Sequence, residues 1–130
     1  MTLLQLMQYF KKNFGWNDEI SIGKIDGNAD RAICFYPSRR PSGKVNTVGG
    51  RSNRSYQLLQ VSVLMHYGDN CGVAENNAKQ VYDFFGELQG EIEGKAFFTI
   101  HRFDAPVFLG TANDRWIYEY SIELDIYARK

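Results

Sequence analysis

The chain is poor in the residues that staple small folds. Two cysteines, Cys34 and Cys71, stand among 130 residues, too few for a disulfide framework, and they read as two free thiols. Three prolines exclude a polyproline or collagen-like chain. No run reaches the ~18 apolar residues that a membrane-spanning helix needs. Residues 1–10 have no basic stretch ahead of their apolar residues and no small-residue cleavage site, so no signal peptide is expected there. Neither charge sign is in excess: 15 Lys and Arg balance 15 Asp and Glu. That excludes a uniformly basic nucleic-acid binder and an acidic disordered chain. It also removes the self-repulsion that keeps a protein monomeric.

What is present is aromatic and unevenly charged. Aromatic residues make up 15%, a composition that favours strands and interfaces. Residues 31–68 hold Arg31, Arg39, Arg40, Lys44, Arg51 and Arg54 and no acid. Residues 69–94 hold Asp69, Glu75, Asp83, Glu87, Glu91 and Glu93 against Lys79 alone. Separated blocks of opposite sign suit pairing between copies, or the offer of one surface to a charged partner.

One domain is expected over 1–130. Leu3, Met7, Phe10 and Phe14 recur at helical spacing, with Thr2 as N-cap and Gly15 past the end. Residues 19–25 and 31–36 read as strands joined through a Gly27–Asn28 turn, a hairpin pair. The stretch PSRRPSGKVNTVGGRSNRS, residues 37–55, has no apolar period. A loop that long is functional or disordered in a compact domain. Residues 56–67 alternate as a strand, with Leu59, Val61, Val63, Met65 and Tyr67 on one side and Gln60, Ser62 and His66 on the other. A second helix opens at Asp69–Asn70 and runs to Gly90, with Ala74, Ala78, Val81, Tyr82, Phe85 and Leu88 in one stripe and Glu75, Lys79, Asp83 and Glu87 facing out.

Residues 95–103 form a strand with Ala96, Phe98 and Ile100 on one side, and 107–109 a short edge segment before a turn over 110–114. Residues 115–128 alternate most strongly of all. Trp116, Tyr118, Tyr120, Ile122, Leu124, Ile126 and Ala128 share one face, opposite Arg115, Glu119, Ser121, Glu123 and Asp125. A strand of ~45 Å outruns most sheets and is expected to bend, bulge or be shared with a neighbouring subunit. The class is α+β: an antiparallel or mixed sheet of four to six strands carrying two helices, with a long basic loop between strands 2 and 3.

No catalytic constellation is evident. His66 and His101 sit on the polar sides of strands, without metal-ligand spacing to each other or to a cysteine. Cys34 reads as a packing thiol. Cys71 lies near a helix N-terminus with nothing beside it in sequence to support catalysis. The pairs Glu91/Glu93 and Glu123/Asp125 read as solvated strand faces rather than an acid–base couple. GKVNTVGGRS is Gly-rich and basic but lacks the phosphate-loop spacing. No cofactor or metal is expected, and the chain reads as a non-enzyme. The basic loop, with Arg39, Arg40, Lys44, Arg51 and Arg54, has three readings. It is a solvated loop, a sequence-independent and salt-sensitive phosphate contact, or a docking element for an acidic protein surface. For the last, Glu75, Asp83 and Glu87 on a neighbouring copy are the complementary face.

Two stretches carry a resemblance. ICFYPSRRPSGKVNTVGGRSNRSYQLLQVSVLMHYGDNCGVAENNAKQVYDFF and LGTANDRWIYEYSIELDIYARK together resemble small tailed-bacteriophage proteins of the minor capsid and tail terminator family. The likeness lies in element order, in the Gly- and Arg-rich loop and in the aromatic-plus-acidic last strand. It implies a structural virion protein at the head–tail junction, assembled in the bacterial cytoplasm. Such a protein closes as a ring of six copies on the tail tube. It stops tail polymerisation and presents a surface to the head–tail connector, while DNA passes through the lumen without sequence-specific binding. A head-completion or stopper role at the portal is the sibling reading. A small nucleic-acid-binding module using the 37–55 loop is the alternative from another class.

Overall fold

A computed structural model describes residues 1–25, 29–38, 55–112 and 117–130. The first helix, α1 (Leu3–Phe14), starts on a capping box. The Thr2 hydroxyl accepts from the Gln5 N–H, and the Gln5 side chain accepts from the Thr2 N–H at 2.9 Å, so two otherwise orphan donors are satisfied reciprocally. Gly15 ends the helix in the left-handed region, φ 82°, where glycine carries no Cβ penalty.

Two strands follow, β1 (Glu19–Ile22) and β2 (Arg31–Pro37). They pair in parallel, Ile20 beside Ile33 and Ile22 beside Phe35, which corrects the hairpin expected from the Gly27–Asn28 turn signal. A hairpin needs its strands to meet across two to five residues. Here β1 stops at Ile22, eight residues short of β2, and the Gly23 N–H donates to the Phe35 carbonyl at 2.9 Å. The Trp16 indole N–H donates to the Glu19 carbonyl at 2.9 Å and ties β1 to the end of α1.

Strand β3 (Tyr56–Tyr67) pairs antiparallel with β2, and α2 (Cys71–Phe84) follows it. Asn70 caps α2 by accepting from the Val73 N–H at 3.1 Å. The helix ends at Phe84, six residues before the expected Gly90, because residues 89–92 form β4 (Gln89–Ile92). Glu93 and Gly94 both take positive φ, 53° and 77°, the requirement of a two-residue hairpin turn, and lead into β5 (Lys95–His101). Strand β6 (Val107–Ala112) extends past the segment expected at 107–109, and β7 (Ile117–Arg129) closes the described chain.

Among the described residues the sheet therefore has seven strands, ordered β1-β2-β3-β7-β5-β4, with β6 also on β7. It is mixed because only β1 and β2 run parallel. The extra strand above the expected range comes from β4, hidden in what periodicity assigned to the helix. The thirteen-residue β7 solves its length inside the chain. One edge is filled by β3, from His66 opposite Glu119 to Tyr56 opposite Arg129. The other edge is divided: β5 covers Leu124–Ala128 and β6 covers Ile117–Ser121, with the Arg102 N–H reaching the Glu123 carbonyl between them at 3.0 Å.

Both helices lie on one face. Phe10 is the hub, with its ring centroid 4.8 Å from Phe14, 5.4 Å from Phe35 and 5.6 Å from Phe85. Beneath it lie Ile33, Val61, Val63, Met65, Ile122, Leu124 and Ile126, all buried. Offset-stacked and edge-on ring pairs of this kind add about 0.5–1.5 kcal/mol each beyond area burial.

Candidate assembly surfaces

The five expected contact residues of the basic loop, Arg39, Arg40, Lys44, Arg51 and Arg54, lie outside the described residues. What is described is how that segment joins the sheet. The Ser38 N–H donates to the Gln60 carbonyl at 2.9 Å, and the Lys130 N–H donates to the Ser55 carbonyl at 3.1 Å. The chain thus leaves and re-enters at one end of the sheet, beside the close of β7. The described residues carry nine Lys and Arg against thirteen Asp and Glu, whereas 39–54 carries five cations and no acid. The neutral total is an acidic body bearing a basic segment.

The expected acidic partners divide. Glu75 and Asp83 are exposed on α2, and Glu75 is paired to Lys79 at 3.3 Å. Glu87 lies beyond the helix end, in the turn, with φ 51°. The last turn of α2 has no basic residue, so Asp83 adds its charge to the negative end of the helix dipole uncompensated. Asp104 joins this corner. Burial first, then the Asp104 and Asp83 charges, raise the Tyr82 phenol above its ordinary value. The Tyr82 hydroxyl donates to the Phe103 carbonyl at 2.8 Å, holding the 102–106 excursion against α2.

His101 belongs to the same corner. Its ring stacks on Tyr82 at 3.6 Å, and its Nε2 donates to the Tyr82 carbonyl at 2.8 Å. Burial holds its pKa below the ordinary value, opposed by that hydrogen bond and by the Asp83 charge.

The face of the sheet turned away from the helices is polar along its middle. His66, expected on the polar side of its strand, lies there but is only 3% exposed, and its Nε2 meets Glu119 Oε1 at 2.7 Å. Ser62 and Ser121 both donate to Glu123, and Gln60 donates to Asp125 at 3.2 Å. Both serine hydroxyls thus point to a carboxylate and not to a histidine, and buried Nδ1 of His66 meets no partner among the described residues. This is a cross-strand hydrogen-bonded row, without the nucleophile–base bond that covalent catalysis needs. Among the described residues no group of three or more His, Cys, Asp or Glu is placed to hold a metal ion. Cys34 is buried and Cys71 exposed, both unpaired.

Sequence reasoning missed the apolar surfaces. Ala96, Phe98 and Ile100 do share a side of β5, but it is the open one: Phe98 is 44% and Ile100 48% exposed, while Phe97 and Thr99 are buried toward the helices. On β6, Phe108 and Leu109 are 53% and 49% exposed. At the far end of the sheet Tyr56, Phe98 and Tyr127 line an open cleft of about 840 Å³. The Phe98 and Tyr127 rings stack at 5.1 Å, and Tyr56 lies 5.8 Å from Tyr127. Position in a strand decides which apolar residues stay open, and the alternation of β5 is too even to reveal its inner side.

No protein-family model, no curated protein and no solved structure matches this chain, so the reading of its function rests on its own residues and surfaces.

Proposed function

We propose that the chain is a tail terminator of a tailed bacteriophage: a structural protein that closes as a ring on the finished tail tube, stops its polymerisation and gives the head–tail connector a surface to dock on. The observation that carries it is the separation of charge, an acidic body with a basic 39–54 segment anchored at one end of the sheet. A closed ring repeats one heterologous contact, in which a patch meets a different patch on the next copy. Opposite charges on one chain suit that arrangement, and the resemblance in the loop and last strand points the same way. In this reading the segment contacts the Glu75 and Asp83 side of a neighbour, the ring sits at the head–tail junction, and DNA passes through the lumen without base-specific contact.

The test has two parts. Replacing Arg39, Arg40, Arg51 and Arg54 together by Ser is expected to weaken ring formation, read by light scattering and electron microscopy. Unchanged assembly would remove the segment from the contact. In a phage lacking the protein, overlong tails are expected. Normal tails on heads that leak DNA would instead assign the stopper role.

A further inference from the structure

Two apolar surfaces stand at opposite ends of β7. The first is the β6 corner. Residues 105–112, APVFLGTA, contain no charged side chain. The pairing register shifts between Phe108 and Gly110, so Leu109 is the extra residue of a bulge, pushed out of the ladder. The outer edge of β6 has no strand partner among the described residues, and about half of Phe108 and of Leu109 is open. Natural edge strands are blunted by charge, proline or a cover. This one has its bulge and Pro106 just ahead of it, but no charge along its length.

The second surface is the cleft lined by Tyr56, Phe98 and Tyr127. It lies on the side away from the helices, since Phe98 sits opposite Tyr127 and Phe97 faces the core. Ala96 lies open beside it, and Glu91 and Arg129 are its only charged lining residues among those described. Its 840 Å³ falls within the range of clefts that enclose a compact organic group.

β6 meets β7 at Ile117–Ser121, whereas the cleft draws on Tyr127–Arg129. At ~3.3 Å per residue the corner and the cleft are roughly 20 Å apart, too far for one copy to fill its own cleft. One surface is half open and uncharged, with the Phe108 ring resting 5.3 Å from Tyr120 of its own chain. The other is concave and aromatic, and an uncharged occupant brings it no ion to desolvate. Both belong to a chain of zero net charge.

We propose that Phe108 and Leu109 of one copy seat in the Tyr56–Phe98–Tyr127 cleft of the next. The contact is heterologous, so repetition gives a ring if the rotation closes and a filament if it does not. It rests on the ring reading for its biological role and supplies that reading with the apolar part of the joint, beside the charged part carried by residues 39–54.

The experiment uses two full-length variants. Leu109→Lys spoils the corner and leaves the cleft; Ala96→Lys obstructs the cleft and leaves the corner. Phe108→Ser and Phe98→Ser are the second pair, and circular dichroism checks that all four fold. Light scattering across a concentration series is expected to show wild-type particles well above 15.0 kDa, and each single variant assembling at least ~10-fold more weakly, the loss typical of a removed central contact. An equimolar mixture of Leu109→Lys and Ala96→Lys is expected to stop at a pair, because one good corner and one good cleft are left between them. Variants that assemble like the wild type overturn the proposal. So does a mixture that stays monomeric, and so does an Ala96→Lys variant that pairs while Leu109→Lys does not, the result for a two-fold pairing of β6 with itself. A wild type that stays monomeric throughout also overturns this contact, while overlong tails in the phage lacking the protein would still support the terminator reading.

Discussion

Gly90 stands in β4, and its backbone lies outside the left-handed region, so alanine can adopt its conformation. A Cβ there would lie 2.6 Å from the Tyr9 hydroxyl and 2.8 Å from two ring atoms of Phe97. Without those neighbours, Gly90→Ala would stabilise by about 0.4–1 kcal/mol through the unfolded chain. The neighbours reverse the sign. Tyr9 presents the end of a side chain that can swing away, but Phe97 is 3% exposed and held edge-on against Tyr9 at 5.1 Å. Inserting a methyl group against a fixed ring costs about 1–3 kcal/mol, so the net expectation is a loss of roughly 1–2 kcal/mol. For a domain of this size that lowers Tm by roughly 4–8 °C, read by thermal circular dichroism. Adding Tyr9→Phe removes the nearer obstacle and leaves the ring, so the double variant is expected to regain only part of the loss, a coupling of ~0.5 kcal/mol or more. An unchanged or raised Tm in Gly90→Ala would refute the reasoning, because the packing of α1 on the β4–β5 hairpin would then have the missing room.

Two further outcomes follow from the histidines. Burial lowers the His101 pKa in the folded state, so below the ordinary value of 6.5 the unfolded chain binds more protons than the folded one. Its contribution is fully present above that pH and declines as pH falls through the lowered folded value. Urea midpoints measured between about pH 5 and pH 8 should fall on the acid side in the wild type and fall less in His101→Gln; equal slopes would contradict this. Glu119→Ala leaves the buried His66 ring without its one hydrogen-bond partner, an expected loss of about 1–3 kcal/mol. His66→Leu combined with Glu119→Ala should recover part of that loss, and a single variant as stable as the wild type would show that the pair contributes nothing.

Much of the fold was legible because the pattern and the packing agree. The α1 stripe, its Thr2 cap and its Gly15 stop all reappear. So do the inward set of β3 and the inward set of β7 from Tyr118 to Ala128; Arg115 and Trp116 lie outside the described residues. The failures have physical causes. Gly27–Asn28 is a turn signal, but a turn does not say whether the chain folds straight back or crosses to pair in parallel. Leu88 continues the spacing of α2 although it has left the helix, because a residue of the connection into β4 that packs on the same core differs little in sequence from one more helical turn. In β5 both sides are apolar, and only the placement of α1 and α2 decides that Phe97 goes in and Phe98 stays out. The candidate assembly surfaces were half legible. Charge separation is a linear property and was read directly, whereas the cleft joins Tyr56, Phe98 and Tyr127 from three strands and exists only after folding.

The divided edge of β7 has a consequence for how the molecule is made. β3 and β5 are neighbours of neighbours, joined only through a strand that begins at residue 117. A chain growing from its N-terminus reaches that residue after every other strand has been made. Until then β3 and β5 have no middle strand between them, and the ladder that joins the two halves of the sheet is missing. Its pairings span some sixty residues, from Gln60 to Asp125, the non-local kind that slows folding. The partly made chain therefore carries an open seam along β3, and the helix-covered half waits for β7 to close it. A chaperone holding that seam would act on the unfinished protein at the place where the finished one is best packed.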